Sequence, residues 1–415
     1  MGARFSHYKR DDCRFCGSRN VQSYIDLGAQ PPSNSFIRPD EIADEESFPL
    51  EVYLCTDCGC SQLLDVVAGA DIFDKYAYLS STSRALCNHY QGLVDGLIAQ
   101  FKPAAGALAM DIGCNDGIML DRYPAGQLRL LGVEPSNVAE FARKKGHEVL
   151  NDFFGEDLAK SIVASHGEAS LITMTNVFAH IDGIHDVVRG LATLLAEDGV
   201  FALEFPYIVD TVDETLFDTI YHEHLGYLAL TPVKTLLATV GMCPFAVERI
   251  AFGASGPALR VYIGHESARP EGQSVKDLLA FEDAWGVCDP ATYARFAADV
   301  REATTQLATM VRDLNARGEK VAAFSAPAKG NTLLNTAKLT AADVAVISEN
   351  NEIKVGLVAP GSHIPVVSDE ALLESGIKIA ILLSWNYADF FVANSDFVKQ
   401  GGRFIVPLPR PHLRP

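Results

Sequence analysis

The chain has 415 residues, 48% of them hydrophobic and 21% charged, which is the composition of a globular protein with more than one domain rather than a disordered or fibrous one. Its 34 Lys and Arg against 53 Asp and Glu give a formal net charge of −19, so we expect no broad nucleic-acid-binding surface. Since no apolar run approaches the length of a membrane span and the first residues lack a secretory pattern, we expect a cytoplasmic protein with no membrane partner.

Two Cys-x-x-Cys pairs form the first motif in the chain. A glycine follows each pair and permits the tight turn of a rubredoxin-like knuckle, and two knuckles together complete a tetrahedral metal site. The four ligands are Cys13, Cys16, Cys55 and Cys58. We expect a structural zinc ion, because four sulfurs leave no open coordination position; iron is the alternative metal and Cys60 the alternative ligand. Strand-like segments at residues 21–25 and 50–54 would bring the knuckles together.

The second motif is an apolar strand at residues 108–112 that runs into a loop with glycine and acidic residues. A further apolar strand at 130–133 ends in Glu134, the position at which Rossmann-type domains hold ribose hydroxyls with a carboxylate. The Gly-x-Gly-x-x-Gly seat for a pyrophosphate is absent, and an acidic loop suits a positively charged ligand without phosphate. The two strands therefore predict S-adenosylmethionine, rather than a dinucleotide, as the cofactor.

Strands predicted at residues 170–175 and 200–204, with a helix at 184–195 between them, continue the α/β alternation. Residues after the third and fourth strands are expected beside the adenine and the methionyl part of the cofactor. The candidate cofactor contacts are Asp111, Gly113, Asn115, Asp116, Glu134, Pro135, Asp152, Phe153, Asn176 and Val177.

The third motif is the run Tyr221-His222-Glu223-His224, which concentrates a phenol, a carboxylate and two imidazoles. In an extended segment Tyr221 and Glu223 would share one face, whereas in a helix Tyr221 and His224 would do so. We favour an irregular loop that leads into a helix. The two histidines are too close together for a zinc site of the His-Glu-x-x-His type, so the run indicates acid–base chemistry rather than metal binding.

A second α/β unit follows, with strands predicted near residues 258–263 and 320–324 and a long helix at 292–317 between them. Four later strands are expected at 344–348, 364–367, 377–383 and 404–406. The loop at 325–332 opens a helix with small residues and a lysine, so main-chain N–H groups and Lys329 could receive a phosphate.

Taken in order, these motifs resemble the three-domain sugar C-methyltransferases, which act on nucleotide-linked deoxy-ketosugars. The resemblance is carried by the knuckles and by Asp-Ile-Gly-Cys-Asn-Asp-Gly at 111–117, Asn-Val-Phe-Ala-His at 176–180, Tyr-His-Glu-His-Leu at 221–225 and Ala-Pro-Ala-Lys-Gly-Asn-Thr at 326–332. It implies an α/β chain with a zinc-binding domain (1–70), an S-adenosylmethionine domain with a leading cover segment (71–250) and a C-terminal Rossmann-like domain (251–415). The substrate is expected between the last two.

The same resemblance implies the roles of the candidate catalytic residues. His224 would be the base that removes a proton next to the ketone, with Tyr221 and His180 at the enolate oxygen and Glu223 orienting the base. The candidate substrate contacts are Tyr76, Tyr78, His222, Arg260, Lys329 and Asn331. Where family members have Gly-Gly-Ser-Leu-Arg, this chain has residues 255–260 as Ser-Gly-Pro-Ala-Leu-Arg, so the sugar and the nucleotide are not inferred by analogy.

Two other functions stay open from the sequence. One is O- or N-methylation of a small molecule with the same cofactor site and a histidine base. The other is a zinc-dependent binding protein with a degenerate methyltransferase domain, and the presence of Asp111, Gly113, Glu134 and His224 argues against it.

Overall fold

The computed structural model describes residues 4–73, 79–253 and 256–415, so the candidate substrate contacts Tyr76 and Tyr78 lie outside the described residues. The expected fold class is confirmed, because a small cysteine-rich region precedes two α/β units, each built on its own sheet. Within these three ranges, every helix is too short or too polar to cross a membrane.

The cysteine-rich region is built from short antiparallel strands. They are β1 (His7–Lys9), β2 (Val21–Gln30), β3 (Phe48–Cys55), β4 (Ser61–Leu63) and β5 (Asp65–Val67), with a 3-10 helix at Pro39–Asp44 and helix α1 (Gly69–Phe73). Because β2 and β3 pair with Val21 opposite Cys55, the two knuckles meet at one end of this hairpin. The strands expected at 21–25 and 50–54 are confirmed.

The central unit contains the strands on which the predicted cofactor loops lie. They are β6 (Leu108–Ile112), β7 (Arg129–Val133), β8 (Val149–Leu150), β9 (Ala169–Thr175), β10 (Leu195–Pro206), β11 (Gly226–Tyr227), β12 (Met242–Gly253) and β13 (Gly256–His265). Its helices are α2 (Arg84–Phe101), α3 (Ala139–Lys144), α4 (Glu156–His166), α5 (Ile184–Leu194), α6 (Ile208–Asp213) and α7 (Leu230–Ala238), and 3-10 helices lie at Ser80–Thr82, Leu120–Arg122, Phe178–His180 and Phe217–Thr219. The sheet has seven strands in the order β12-β13-β10-β9-β6-β7-β8.

The position of β13 differs from the sequence interpretation, which placed this strand in the third domain. It pairs antiparallel with β10, from Phe201 opposite Ile263 to Pro206 opposite Ala258. Strand β10 is buried along most of its length, and β13 supplies the hydrogen-bonding partner that its otherwise open edge requires. By sheet membership, the central unit therefore extends to His265.

The C-terminal unit begins with α8 (Gln273–Trp285) and the long helix α9 (Pro290–Ala316), which starts where Asp289 caps its first turn. The strands that follow are β14 (Val321–Phe324), β15 (Ile347–Ser348), β16 (Val366–Val367), β17 (Ile379–Leu382), β18 (Arg403–Val406) and β19 (His412–Arg414). The remaining helices are α10 (Ala328–Thr336), α11 (Asp369–Glu374), α12 (Ala388–Asn394) and α13 (Asp396–Lys399), with a 3-10 helix at Trp385–Tyr387. Its sheet has the order β16-β15-β14-β17-β18-β19.

The cysteine-rich region contacts both α/β units. Strand β11, directly after the Tyr-His-Glu-His-Leu run, pairs with β4 and so becomes the edge strand of the cysteine-rich sheet. On the other side, the Ile37 and Val358 main chains exchange hydrogen bonds, and the Asn331 amide donates to the Ser33 carbonyl at 2.7 Å. The candidate catalytic run therefore lies where the three regions of the chain meet.

Candidate active site

The four predicted metal ligands form one cluster, in which all the sulfur atoms lie within 4.8 Å of one another. The Cys13 and Cys58 sulfurs are 3.6 Å apart, as are those of Cys16 and Cys55. Tetrahedral zinc with bonds of about 2.3 Å separates its sulfur ligands by about 3.8 Å, so this geometry fits the metal. The alternative ligand, Cys60, is buried beside the cluster with its sulfur 3.9 Å from the Ser61 carbonyl. The structure therefore brings the four predicted ligands into one cluster whose spacing fits a zinc ion.

Glu134, with Pro135 after it, follows strand β7 and presents its carboxylate to the loop after β6. One carboxylate oxygen accepts the Asn115 N–H at 3.0 Å, and the other accepts the Ser136 N–H at 2.9 Å. These two bonds hold the carboxylate at the end of β7, the position expected for a ribose contact, and each oxygen has a further lone pair.

Gly113 allows the loops after β6 and β9 to approach closely. Its φ is +75°, and a Cβ at this position would lie 2.3 Å from a methyl carbon of Val177. Behind it, Thr173 donates to the Asp111 carboxyl at 2.7 Å, and burial raises the pKa of Asp111 to about 7. Asp111 therefore braces the end of β6 from within the sheet.

The turn before α2 docks on the same loop. Asn115 Oδ1 accepts the Ser80 N–H at 2.9 Å, and the Asp116 carboxylate accepts the Ser81 hydroxyl. At the end of the neighbouring strand, Asp152 and Phe153 follow β8, and Phe153 is 56% exposed. An exposed aromatic ring at this edge suits the stacking of an adenine.

Asn176 completes this set at the end of β9, with a φ of +57° and its N–H donated to the Glu204 carbonyl at 2.8 Å. Its buried side-chain Oδ1 has no hydrogen-bond partner within the ranges that the structure describes. A buried acceptor without a partner costs free energy unless a ligand satisfies it. Together with the Glu134 carboxylate and the glycine-bearing loop after β6, it gives a set of residues that fits S-adenosylmethionine.

The Tyr-His-Glu-His run is an irregular turn, as expected, in which the His224 N–H donates to the Tyr221 carbonyl at 2.8 Å. The turn leads into strand β11, however, and not directly into a helix. The ring centroids of Tyr221 and His224 lie 4.0 Å apart, and those of His180 and His224 lie 4.8 Å apart. Leu225, the next residue, donates its N–H to the Ala179 carbonyl at 2.7 Å. The structure therefore brings together three of the four candidate catalytic side chains.

His224 has a defined tautomer, because its Nδ1 lies 2.7 Å from the Thr219 carbonyl oxygen. A carbonyl only accepts, so Nδ1 carries the hydrogen and Nε2 of the neutral ring keeps its lone pair. Burial, together with neighbouring His180, lowers the pKa of His224 to about 3, and burial lowers the pKa of His180 to about 4. Both imidazoles are therefore neutral at pH 7, and His224 has a proton-accepting nitrogen.

Glu223 does not hold the Nδ1 of His224, so the expectation that it orients the base is wrong at this contact. Its carboxyl accepts a hydrogen bond from the Asn34 amide at 2.6 Å, and burial raises its pKa to about 7 despite the nearby Lys354. In an irregular turn, neither the strand nor the helix periodicity determines the direction of a side chain. The orienting group is the main-chain carbonyl of Thr219, which no side-chain motif can reveal.

His222, a candidate substrate contact, faces the cysteine-rich region instead. Its Nε2 lies 3.2 Å from the Phe48 carbonyl and 3.3 Å from the Pro49 carbonyl, and the residue is 1% exposed. Burial lowers its pKa to about 4. Although His222 is only two residues from His224 in the sequence, its side chain does not lie in the same site.

Arg260 is also bound within the protein. Its guanidinium donates twice to one oxygen of Glu204, at 2.8 and 2.9 Å, and the other oxygen of this buried carboxylate lies 2.5 Å from His89 Nε2. The register of β10 and β13 places Glu204 directly opposite Arg260, which explains the pair. Because the Arg260 guanidinium neutralises the buried Glu204 carboxylate, it is not available to bind a diphosphate.

Lys329 and Asn331, the last two candidates, lie on α10 and have different surroundings. The Lys329 ammonium donates to the Asn386 side chain at 2.6 Å, lies 4.8 Å from the centre of the Trp385 ring and is 3.9 Å from an Asp218 oxygen. Asn331 is fully buried against Ser33. Of the two, Lys329 lies beside the segment that holds the catalytic loop, since Asp218 directly precedes Thr219.

Three family models match successive parts of the chain: a zinc binding domain over residues 13–73, a methyltransferase domain over 88–241 and a C-methyltransferase C-terminal domain over 253–409. The C-methyltransferase NovU of Streptomyces niveus is 32% identical over 407 residues, which cover 97% of this chain and 96% of that protein.

Two solved structures resemble part of the chain. The magnesium protoporphyrin IX methyltransferase of Synechocystis PCC 6803 with bound SAH is 15% identical, with a TM-score of 0.34 and coverage of 47% of this chain and 90% of that one. An S-adenosylmethionine-dependent methyltransferase from Clostridium acetobutylicum is 10% identical, with a TM-score of 0.34 and coverage of 43% of this chain and 91% of that one.

Proposed function

Because the chain belongs to the family of three-domain C-methyltransferases with a zinc-binding domain and S-adenosylmethionine as methyl donor, we propose that it methylates a carbon next to the ketone of a nucleotide-linked deoxy-ketosugar. The observation that carries this proposal is the tautomer of His224. Its Nδ1 hydrogen is committed to the Thr219 carbonyl, which leaves Nε2 able to accept a proton. Carbon methylation requires such a base, whereas an already nucleophilic amine does not.

In the proposed reaction, Nε2 of His224 removes the proton next to the ketone, and the substrate becomes an enolate. The buried site disfavours an imidazolium by itself, as the lowered pKa of His224 shows, but an enolate formed beside it supplies a compensating negative charge. We assign the hydrogen bonds to the enolate oxygen to Tyr221 and His180, because their rings lie against His224. When bound beside Glu134, S-adenosylmethionine would supply an electrophilic methyl group.

In this proposal, the C-terminal unit binds the nucleotide diphosphate of the substrate. Lys329 lies between the Trp385 ring and Asp218, and Trp385 itself donates its indole N–H to Asp218 at 2.6 Å. The Lys329 ammonium therefore lies beside Asp218, the residue directly before Thr219, and the Thr219 carbonyl positions His224. Unlike the Arg260 guanidinium, which donates to Glu204 at 2.8 and 2.9 Å, the Lys329 ammonium lies 3.9 Å from the Asp218 carboxylate, beyond hydrogen-bond distance. We therefore assign Lys329 to the diphosphate and place the sugar between it and His224.

The experiment is incubation of the protein with S-adenosylmethionine that carries a ¹³C-labelled methyl group and a panel of dTDP-, GDP- and CDP-linked keto-deoxysugars. A methyl group bonded to carbon survives acid treatment and shows coupling to the neighbouring ring carbon in the ¹³C spectrum. A label on oxygen or nitrogen would favour the alternative O- or N-methyltransferase, and absence of product from every sugar would contradict the substrate class.

A further inference from the structure

Arg14 lies inside the first zinc knuckle, between the ligands Cys13 and Cys16, yet its side chain reaches into the central unit. The guanidinium is 2% exposed and donates to the Leu225 carbonyl at 2.6 Å and to the Leu63 carbonyl at 2.9 Å. Leu225 directly follows His224 in the chain. A side chain on the metal site thus holds the main chain next to the base.

The same guanidinium approaches the chain segment that bears His180. Its Nη2 is 3.6 Å from an oxygen of Asp182, which lies two residues after His180 and also pairs with Arg10 at 3.3 Å. The two segments are joined directly as well, since the Leu225 N–H donates to the Ala179 carbonyl at 2.7 Å. Arg14 therefore bridges both segments whose imidazoles face each other in the active site.

The knuckle holds Arg14 from both sides. The Cys13 N–H donates to Ser18, and the Gly17 N–H donates back to the Cys13 carbonyl, at 2.7 and 2.8 Å. A zinc ion on Cys13 and Cys16 would fix the main chain immediately before and two residues after Arg14. Beside it, Phe15 packs against Phe178, at the start of the turn that ends in His180, with ring centroids 6.2 Å apart.

From these contacts we infer that Arg14 is a positioning residue, through which the zinc knuckle sets the geometry of the His180–His224 pair. The inference rests on the proposed function, because it takes His224 as the base. It gives the metal a second task besides folding of the cysteine-rich region. A displacement of catalytic groups by about 1 Å is enough to lower a reaction rate by about 100-fold, so loss of one buried tether should be measurable.

The test compares Arg14→Gln and Arg14→Lys with Arg19→Gln as the matched control. Arg19 is in the same knuckle region, but its side chain is 80% exposed and pairs with Asp11 at the surface. Zinc content and calorimetric binding of S-adenosylmethionine report whether each protein is folded and loaded. Long-range ¹H–¹⁵N spectra of histidine-labelled protein then report the tautomers of His180 and His224 without any substrate.

We expect Arg14→Gln to keep its zinc and its cofactor affinity, to lose the single Nδ1–H tautomer of His224, and to lose about 10-fold to 100-fold in turnover of whichever sugar of the panel the wild type methylates. Arg14→Lys keeps the positive charge but cannot donate to the Leu225 and Leu63 carbonyls from two separate nitrogens, so its turnover should lie between those of the wild type and Arg14→Gln. The turnover of Arg19→Gln should match that of the wild type. The inference is overturned if the His224 signal is unchanged in loaded Arg14→Gln, or if both Arg14 variants lose their zinc, since Arg14 would then only build the knuckle. A wild type with no methyl transfer but with tautomers that respond to Arg14 would contradict the proposed function and leave this inference standing.

Discussion

The Nδ1 hydrogen of His224 is donated to the main-chain carbonyl of Thr219 at 2.7 Å. A backbone carbonyl cannot become a donor, so this contact selects one tautomer of the ring as long as the loop holds His224 against the Thr219 carbonyl. The loop belongs to the central unit and is held by the other two regions of the chain, through β11 on the cysteine-rich sheet and Trp385 on the segment before Thr219. The tautomer of His224 therefore depends on contacts among all three regions.

The cysteine cluster gives the first prediction. Cys16→Ser should lose most of its zinc and unfold at lower temperature, because a thiolate ligand is replaced by a weakly binding hydroxyl. Cys288→Ser is the control, since Cys288 is a half-buried cysteine outside the cluster. Metal analysis and thermal unfolding of the two proteins check this. Retention of a full zinc complement by Cys16→Ser would mean that another group, with Cys60 the first candidate, is the fourth ligand.

Glu134 should govern cofactor affinity rather than the chemical step, because a ribose contact is the same before and during methyl transfer. Hydrogen bonds to a charged group contribute about 1.5–3 kcal/mol, so Glu134→Ala should weaken calorimetric binding of S-adenosylmethionine about 10-fold to 100-fold. Glu140→Gln, which alters a surface carboxylate on α3 paired with Arg143, is the control. Unchanged affinity in Glu134→Ala would remove this residue from the ribose site.

The close approach of two loops can be tested by a double substitution. Gly113→Ala places a Cβ 2.3 Å from a Val177 methyl carbon at a φ of +75°, and the left-handed conformation alone costs about 1–2 kcal/mol. We expect a lower melting temperature and weaker cofactor binding. Adding Val177→Ala removes the methyl groups but not the backbone strain, so it should restore part of the loss. If the second substitution restored nothing, the clash would not be the cause.

The pH dependence of stability follows from the buried histidines. The pKa of His222 is about 4 in the folded chain, below the value of about 6.5 in an unfolded chain, so unfolded protein binds more protons between these values. The contribution of His222 to stability is complete above pH 6.5 and is lost as the pH falls toward 4, by about 2 kcal/mol at pH 5. Burial of Glu223 and Asp111, with pKa values of about 7, acts in the opposite direction.

A comparison of two proteins isolates this contribution. Urea unfolding at pH 7 and pH 5 should show that the wild type loses about 2 kcal/mol more stability than His222→Gln. Glutamine does not titrate in this range, and its amide keeps an N–H group for the Phe48 and Pro49 carbonyls that His222 faces. Equal losses in the two proteins would show that His222 is not held neutral by burial.

Much of the fold was predictable from local sequence. The apolar runs of β6, β7 and β9 indicate buried strands that end in polar loops, and the structure has them there. The two Cys-x-x-Cys pairs predict a single four-sulfur cluster, which the structure also contains. The placement of β13 was not predictable, because a strand's sheet depends on which exposed edge lies beside it and not on its own residues. Its pairing with β10 also places Arg260 against Glu204.

The site was predictable only as a set of residue types. The family resemblance placed Tyr221, His224 and His180 together, and their rings do lie close to one another. The directions of His222 and Glu223, in contrast, depend on a turn without helical or strand periodicity. The contact of His224 with Thr219 is made by a main-chain carbonyl, which no side-chain pattern can predict. In the sequence, Arg14 is one of two residues between the predicted zinc ligands Cys13 and Cys16, and nothing there indicates its contact with Leu225. The roles of these residues stay predictions until they are measured.

The most direct test of the base is the exchange of the substrate proton next to the ketone with deuterated water, without S-adenosylmethionine. His224→Asn keeps hydrogen-bonding capacity but cannot accept a proton at neutral pH, so both ligands should still bind while exchange and turnover fall by about 100-fold or more. Proton NMR of the keto-deoxysugar that the wild type methylates follows the exchange. Exchange in His224→Asn as fast as in the wild type would contradict the account and assign the base to another residue.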